Sequence, residues 1–225
     1  MHIEPGIVEG AKTALGYATA GGVGLYALHT VREAVRDRGL AALLLRGLTA
    51  TAMVLFFFQV LPHGPVGVSE VHLIFGSTLF LLLGAAPAAL GLAAGLLIQG
   101  VLFAPFDLPQ YGMNVTTLLV PLFGLQMVAR RVIAPGTPYV QLRYRQALAL
   151  SATYQAGIVS WVGFWAFYGQ GVTGQTVASV AAFGAAYLAV ILIEPLADLA
   201  VLAAAKGLRG LADSPLVERR LFSPA

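Results

Sequence analysis

The chain has 225 residues, 58% hydrophobic and only 10% charged, with a mean hydropathy of +0.82. A soluble domain carries about 25% charged residues, so the composition excludes a soluble globular protein and indicates a polytopic membrane protein. The lack of cysteine excludes disulfides, thiolate metal sites and cysteine nucleophiles, and a formal charge of +3 does not suggest a nucleic-acid partner.

The chain opens Met1-His2-Ile3-Glu4-Pro5-Gly6. The α-amino group of Met1, the next peptide nitrogen and the His2 imidazole are covalently adjacent and can close two small chelate rings on one ion. A planar nitrogen array suits Ni(II) or Cu(II), and tetragonal Co(II) less strictly. No basic n-region or small-residue cleavage site precedes the first apolar run, so no leader peptide is expected.

Apolar runs of near-spanning length follow. They predict helices at 7–30, 40–61, 71–84, 87–104, 113–130, 146–168 and 176–205, with Gly and Pro marking the joints. No polar stretch is long enough to fold separately, so 1–225 is read as a single transmembrane domain. The expected fold is an all-α polytopic bundle of about seven transmembrane helices. Every Lys and Arg except Lys12 falls near the 31–39 connection, the 131–145 connection or the C-terminal tail. By the positive-inside bias that side is cytoplasmic. The N-terminus and the loops 62–70, 105–112 and 169–175 then face outward.

The helix at 71–84 is too short. At about 1.5 Å per residue it cannot cross a hydrocarbon core about 30 Å thick. The preceding Pro62-His63-Gly64-Pro65-Val66-Gly67-Val68-Ser69-Glu70 is therefore expected to dip into the membrane, covered by protein or a water-filled cavity. A short helix after such a segment points to a midplane binding site.

The chain has four His: His2, His29, His63 and His72. His29 falls at the inner end of the first helix and reads as interfacial. His72, expected to open the short helix, is the candidate to complete a square plane with His2, with His63 as the rival. Ser69 and Glu70 are near enough in sequence to orient the ring. Asn114 is placed to cap the fifth helix or line the cavity. Ala14, Ala18 and Gly22 recur at four-residue spacing and permit close helix contact, within the chain or with a partner. Gln99, Gln126 and Gln155 read as bonding neighbouring helices. Glu194 and Asp198 lie toward the inner end of the last helix, where a structural or partner-facing role is expected. Trp161, Phe164, Trp165 and Tyr168 read as a lipid or interface belt.

Several stretches resemble the cobalt and nickel capture subunits of energy-coupling factor (ECF) transporters, the CbiM/NikM family. Met1 to Gly6 is similar to their Met-His-Ile-x-(Asp/Glu)-Gly start. Pro65-Val66-Gly67-Val68-Ser69-Glu70-Val71-His72-Leu73 is similar to Pro-x-Gly-Thr-Ser-x-His-Leu, with one extra residue between Ser69 and His72. Leu97-Ile98-Gln99-Gly100-Val101-Leu102-Phe103 resembles Leu-(Ile/Val)-Gln-x-Leu-Leu-Phe, and Tyr111-Gly112-Met113-Asn114 resembles Leu-Gly-Ala-Asn. Thr117 stands where the family has a second Asn. The matches keep the family order across residues 1–130.

The resemblance implies a substrate-specific subunit of the cell's inner (plasma) membrane that binds Co2+ or Ni2+ from outside, with the N-terminus inserted into the bundle. The expected ligands are Met1, His2 and His72, in motifs at 1–6, 62–73 and 111–117, with His63, Ser69, Glu70, Asn114 and Thr117 around them. Implied partners are a transmembrane coupling (T) protein, two cytoplasmic ATPases and, in some members, a small accessory membrane protein. The chain has no Walker-type phosphate loop, so ATP hydrolysis is assigned to those partners. The alternative is a membrane metalloenzyme or metal sensor, with Glu70 as a general base beside a metal-bound water. A third reading, vitamin capture by the same transporter class, would need an aromatic-lined pocket.

Overall fold

In a computed structural model, described for residues 3, 5–208, 210, 212 and 214–223, six helices and one β-hairpin make the molecule. Helix α1 (Thr13–Gln59) follows a short 3-10 turn. The hairpin is β1 (His63–Val66) and β2 (Ser69–His72). Helices α2 (Gly76–Leu83), α3 (Ala85–Leu102), α4 (Tyr111–Val132), α5 (Tyr144–Gln170) and α6 (Gly174–Gly207) complete the bundle.

The helix starts and stops follow local chemistry. Gln146 Oε1 accepts the backbone N–H of Arg143 before α5, and Thr173 Oγ1 accepts the N–H of Thr176 at the start of α6. These side chains satisfy amides that a helix N-terminus leaves without intrahelical partners. Arg130 and Arg131 close α4, where cations suit the negative end of the helix dipole.

Three expectations change. The first two expected helices are one element, α1, broken only at Gly39 (φ 81°, ψ 165°). No Gly or Pro interrupts 25–38, so the predicted connection continues the helix. Only at Gly39 does the backbone take a left-handed φ, which a residue without Cβ adopts at little cost. Second, residues 71–75 are not helical: β2 runs to His72, and α2 begins at Gly76. Third, of the seven expected spans, five to six are helices of spanning length. Five helical stretches are long and apolar enough to cross a membrane, or six when the arms of α1 are counted separately. The eight residues of α2 cover about 12 Å.

Helix α2 sits at the centre. It touches each of the other five helices, and all its residues except Leu82 are buried. Around it, α1 packs on α3 and α4, α4 on α5, and α5 on α6. The continuous apolar core includes Phe58, Leu79, Leu92, Leu118, Ile158 and Tyr187.

The bundle has two distinct ends. At the hairpin end, the Lys12 ammonium donates to the carbonyls of Tyr168 (3.0 Å) and Gly169 (2.9 Å). At the opposite end, residues 214–222 fold back as a strap. The Glu218 N–H donates to Leu82 O at 2.7 Å, and its carboxylate pairs with the buried Arg46 guanidinium at 2.9 Å. Arg38 donates to the carbonyls of Val217 (3.0 Å) and Ser214 (3.1 Å). Arg220 donates to those of Ala134 (3.0 Å) and Ile133 (3.4 Å).

Candidate metal centre

The site is built on the hairpin. Val66 pairs with Ser69 and His63 with His72, leaving Gly67 and Val68 as a two-residue turn. Gly67 has φ 65°, the positive value that tight hairpin turns need at this position. Side chains alternate along a strand, so Glu70 and His72 share one face, and the cross-strand partner His63 joins them there.

That face carries the chemistry. His72 has no exposed surface. Its Nε2 lies 3.0 Å from Glu70 Oε2; a carboxylate accepts, so this nitrogen carries the hydrogen and the ring's other lone pair sits on Nδ1. An imidazole oriented through one N–H by a carboxylate is the usual arrangement of a metal-ligating histidine. A nitrogen ligand must present a lone pair, not a proton.

His63 stacks on His72 with ring centres 5.0 Å apart and planes 9° from parallel. Imidazole lone pairs lie in the ring plane, and stacked parallel planes do not converge on one ion. His63 is also exposed, with its Nδ1–H directed to Leu61 O at 3.0 Å. The Phe58 ring flanks His72 at 5.2 Å.

The N-terminal segment reaches this hairpin. Ile3 forms an antiparallel bridge with Ser69, and its N–H donates to Asn114 Oδ1 at 2.8 Å. Ile3, Ile7 and Val8 are buried in the core, which supplies the apolar burial that draws the segment in. Met1 and His2, the other expected ligands, lie outside the described residues. Among the described residues, no three His, Cys, Asp or Glu side chains gather closely enough to hold an ion by themselves.

The remaining expected residues fall as follows. Asn114 faces Ile3 rather than capping its own helix. Thr117 turns its hydroxyl back to Met113 O at 2.9 Å. His72 lies on strand β2 instead of opening a helix. His29 is remote from the site, paired with Glu33 at 3.3 Å on the surface. Ala14, Ala18 and Gly22 are exposed, so their stripe is not a contact within the chain; the neighbouring Gly16 is the one packed on Met113. The expected aromatic belt turns partly inward: Trp165 is fully buried, and Trp161 Nε1 donates to Thr116 Oγ1 at 2.9 Å.

Glu194 and Asp198 are not partner-facing, because both are buried. They meet the first turn of α2, where Glu194 Oε1 accepts from Ser77 N–H at 3.3 Å and Asp198 Oδ2 accepts from Ser77 Oγ at 2.7 Å. Thr78 Oγ1 donates to the other Asp198 oxygen. From α5, Ser151 Oγ (2.6 Å) and Gln155 Nε2 (2.8 Å) donate to Glu194 Oε2. The sequence singles out Glu194, Asp198 and Gln155, but not their meeting with Ser77, Thr78 and Ser151. Acids inside an apolar helix are a signal, but their partners lie far away in sequence.

A family model described as "CbiM: Cobalt uptake substrate-specific transmembrane region" matches residues 2–210. The chain belongs to the CbiM family. It is thus a multi-pass substrate-specific transmembrane component for cobalt uptake, and the family is one of transport components, not enzymes. That sets aside the metalloenzyme and sensor readings. The fold is similar to that of a solved transition metal transporter, 18% identical, covering 93% of this chain and 94% of that one with a TM-score of 0.70. A truncated transition metal transporter, 17% identical, gives a TM-score of 0.68 over 92% of this chain and 99% of that one. A comparison with curated protein sequences gives no match.

Proposed function

We propose that this CbiM-family chain captures Co(II) or Ni(II) at the hairpin end, as the substrate-specific subunit of an ECF transporter in the plasma membrane. The ligands are the Met1 amine, the His2 amide nitrogen and imidazole, and the His72 imidazole. The observation that carries this reading is the burial of Ile3 between Asn114 and Ser69, three residues before His72. Glu70 orients His72, Asn114 anchors the N-terminal segment, and Ser69 and Thr117 pack around them. His63 stays at the rim.

The hairpin end faces outward in this reading. The basic residues Arg38, Arg46, Arg130, Arg131 and Arg220 collect toward the strap end, which the positive-inside bias assigns to the cytoplasm. Hairpin and α2 then make one crossing together, for seven in all, with the C-terminus inside. Import requires a coupling protein and two ATPases, with or without a small accessory membrane protein. The outward stripe of Ala14, Ala18 and Gly22 offers a surface for close helix contact with such a membrane partner.

One added residue ahead of Met1 tests the ligand set, because it moves the amine out of the chelate. The extended, purified chain should keep its fold and lose Ni(II) or Co(II) affinity by about 100-fold or more, above the loss typical of an outer-shell change. Unchanged affinity would show the amine is not a ligand. Replacing His72 by Ala should remove a second donor; an unchanged stoichiometry and absorption spectrum would transfer that role to His63.

A further inference from the structure

Helix α6 runs beside the whole ligand-bearing segment, from the hairpin turn to the start of α2. Gly67 lies so close to the Ser179 carbonyl that an added Cβ would stand 2.1 Å from it. Two turns farther along α6, the buried Tyr187 hydroxyl lies beside the backbone of His72. Two turns beyond that, Glu194 and Asp198 hold Ser77 and Thr78. The contacts advance in step along both elements, so α6 acts as a rail for residues 67–78.

The last contact holds a strained start. Phe75, at the N-cap of α2, has φ 50° and no side-chain cap bond. Left-handed backbone in a bulky residue is costly and persists only where the surroundings over-determine it. The first amides of α2 need acceptors; Glu194 supplies one from outside the helix. Two carboxylates in a membrane helix are an expensive way to cap one turn. Their position matters because only Leu73, Ile74, Phe75 and Gly76 separate Ser77 from His72.

We propose that Glu194 and Asp198 are positioning residues for metal capture: by fastening the start of α2 to α6, they set the pose of His72. The inference rests on His72 being a ligand. Neither acid touches the ion. Gln155 and Ser151 of α5 hold the Glu194 carboxylate in place, so three helices define where the β2 strand ends.

The test is a double-mutant cycle on the purified full chain with Ni(II) alone as probe. Glu194→Gln keeps the shape and replaces one accepting oxygen with a donor NH2. In the wild-type background it should weaken Ni(II) about tenfold, as loss of a ligand-orienting partner does, and shift the absorption bands of the bound ion. In a His72→Ala background the same substitution should cost less than about twofold, because the ring it positions is gone. An equal loss in both backgrounds, or no loss in either, overturns the positioning role. If His72→Ala itself leaves Ni(II) affinity intact, the ligand assignment fails and this proposal falls with it. Should Glu194→Gln not fold, Ser77→Ala reads the same cycle. It removes one hydrogen bond to Asp198 and should cost about threefold with His72 present and nothing detectable without it. Equal costs would again overturn the proposal.

Discussion

The two ends of α2 are held by opposite chemistry. At its N-terminus the partners are the carboxyl groups of Glu194 and Asp198, with Ser151 and Gln155 holding Glu194 from behind. At its C-terminus the partner is a guanidinium, with Arg46 Nη1 on Leu83 O at 3.0 Å and Glu218 Oε2 behind it at 2.9 Å. Each end suits the helix, with acceptors for its first amides and a cationic donor for its last carbonyls. The difference has a functional side: the strap end holds a permanent cation of its own, whereas the His72 imidazole lies five residues upstream of Ser77 at the other end.

If the ends are separable, damage at one should not register at the other. Arg46→Met should be the largest stability change. Its removal leaves Glu218 and two carbonyls without their donor, at a cost of about 3 kcal/mol, the low end for a broken buried pair because Glu218 is partly exposed. Unfolding in detergent would measure it, with Ni(II) affinity unaltered; a parallel loss of affinity would break the comparison. Acid should weaken Ni(II) binding at the hairpin end, because nitrogen ligands must be deprotonated to bind; an affinity unchanged between about pH 7 and about pH 5 would exclude an imidazole ligand. The smallest effect is expected from Asn114→Ala. It leaves the buried Ile3 N–H without its acceptor and should cost about 1–2 kcal/mol, together with faster hydrogen exchange at Ile3. No change in that exchange would mean Asn114 does not anchor the segment.

Much of the bundle was legible in the sequence because hydrophobic length and Gly/Pro punctuation act locally. The helices at 85–102, 111–132, 144–170 and 174–207 lie within two residues of the predicted bounds. Residues 31–38 were misread because charge suggested a loop, whereas Glu and Arg are good helix formers. Residues 71–75 differ because Val71, Leu73, Ile74 and Phe75 look as apolar in a strand as in a helix. A two-residue Gly-x turn between short β-prone stretches was the available clue. His72 was found from its type and side of the membrane, but its bond to Glu70 depends on the strand period of two, not the helix period assumed. The Glu194 cluster joins residues 39 and 117 positions apart, and nothing in a local pattern encodes such a pairing.

Both tryptophans of the chain, Trp161 and Trp165, stand on the same stretch of α5, with rings 6.4 Å apart. Trp161 is tied to Thr116, two residues past the asparagine that grips Ile3. Tryptophan emission, excited at the red edge where tyrosine does not absorb, therefore samples one corner of the molecule, beside the N-terminal segment, while the strap end, which holds Tyr139 but no tryptophan, is silent. Titrations in unlabelled protein can follow that corner directly, without an attached dye to disturb it.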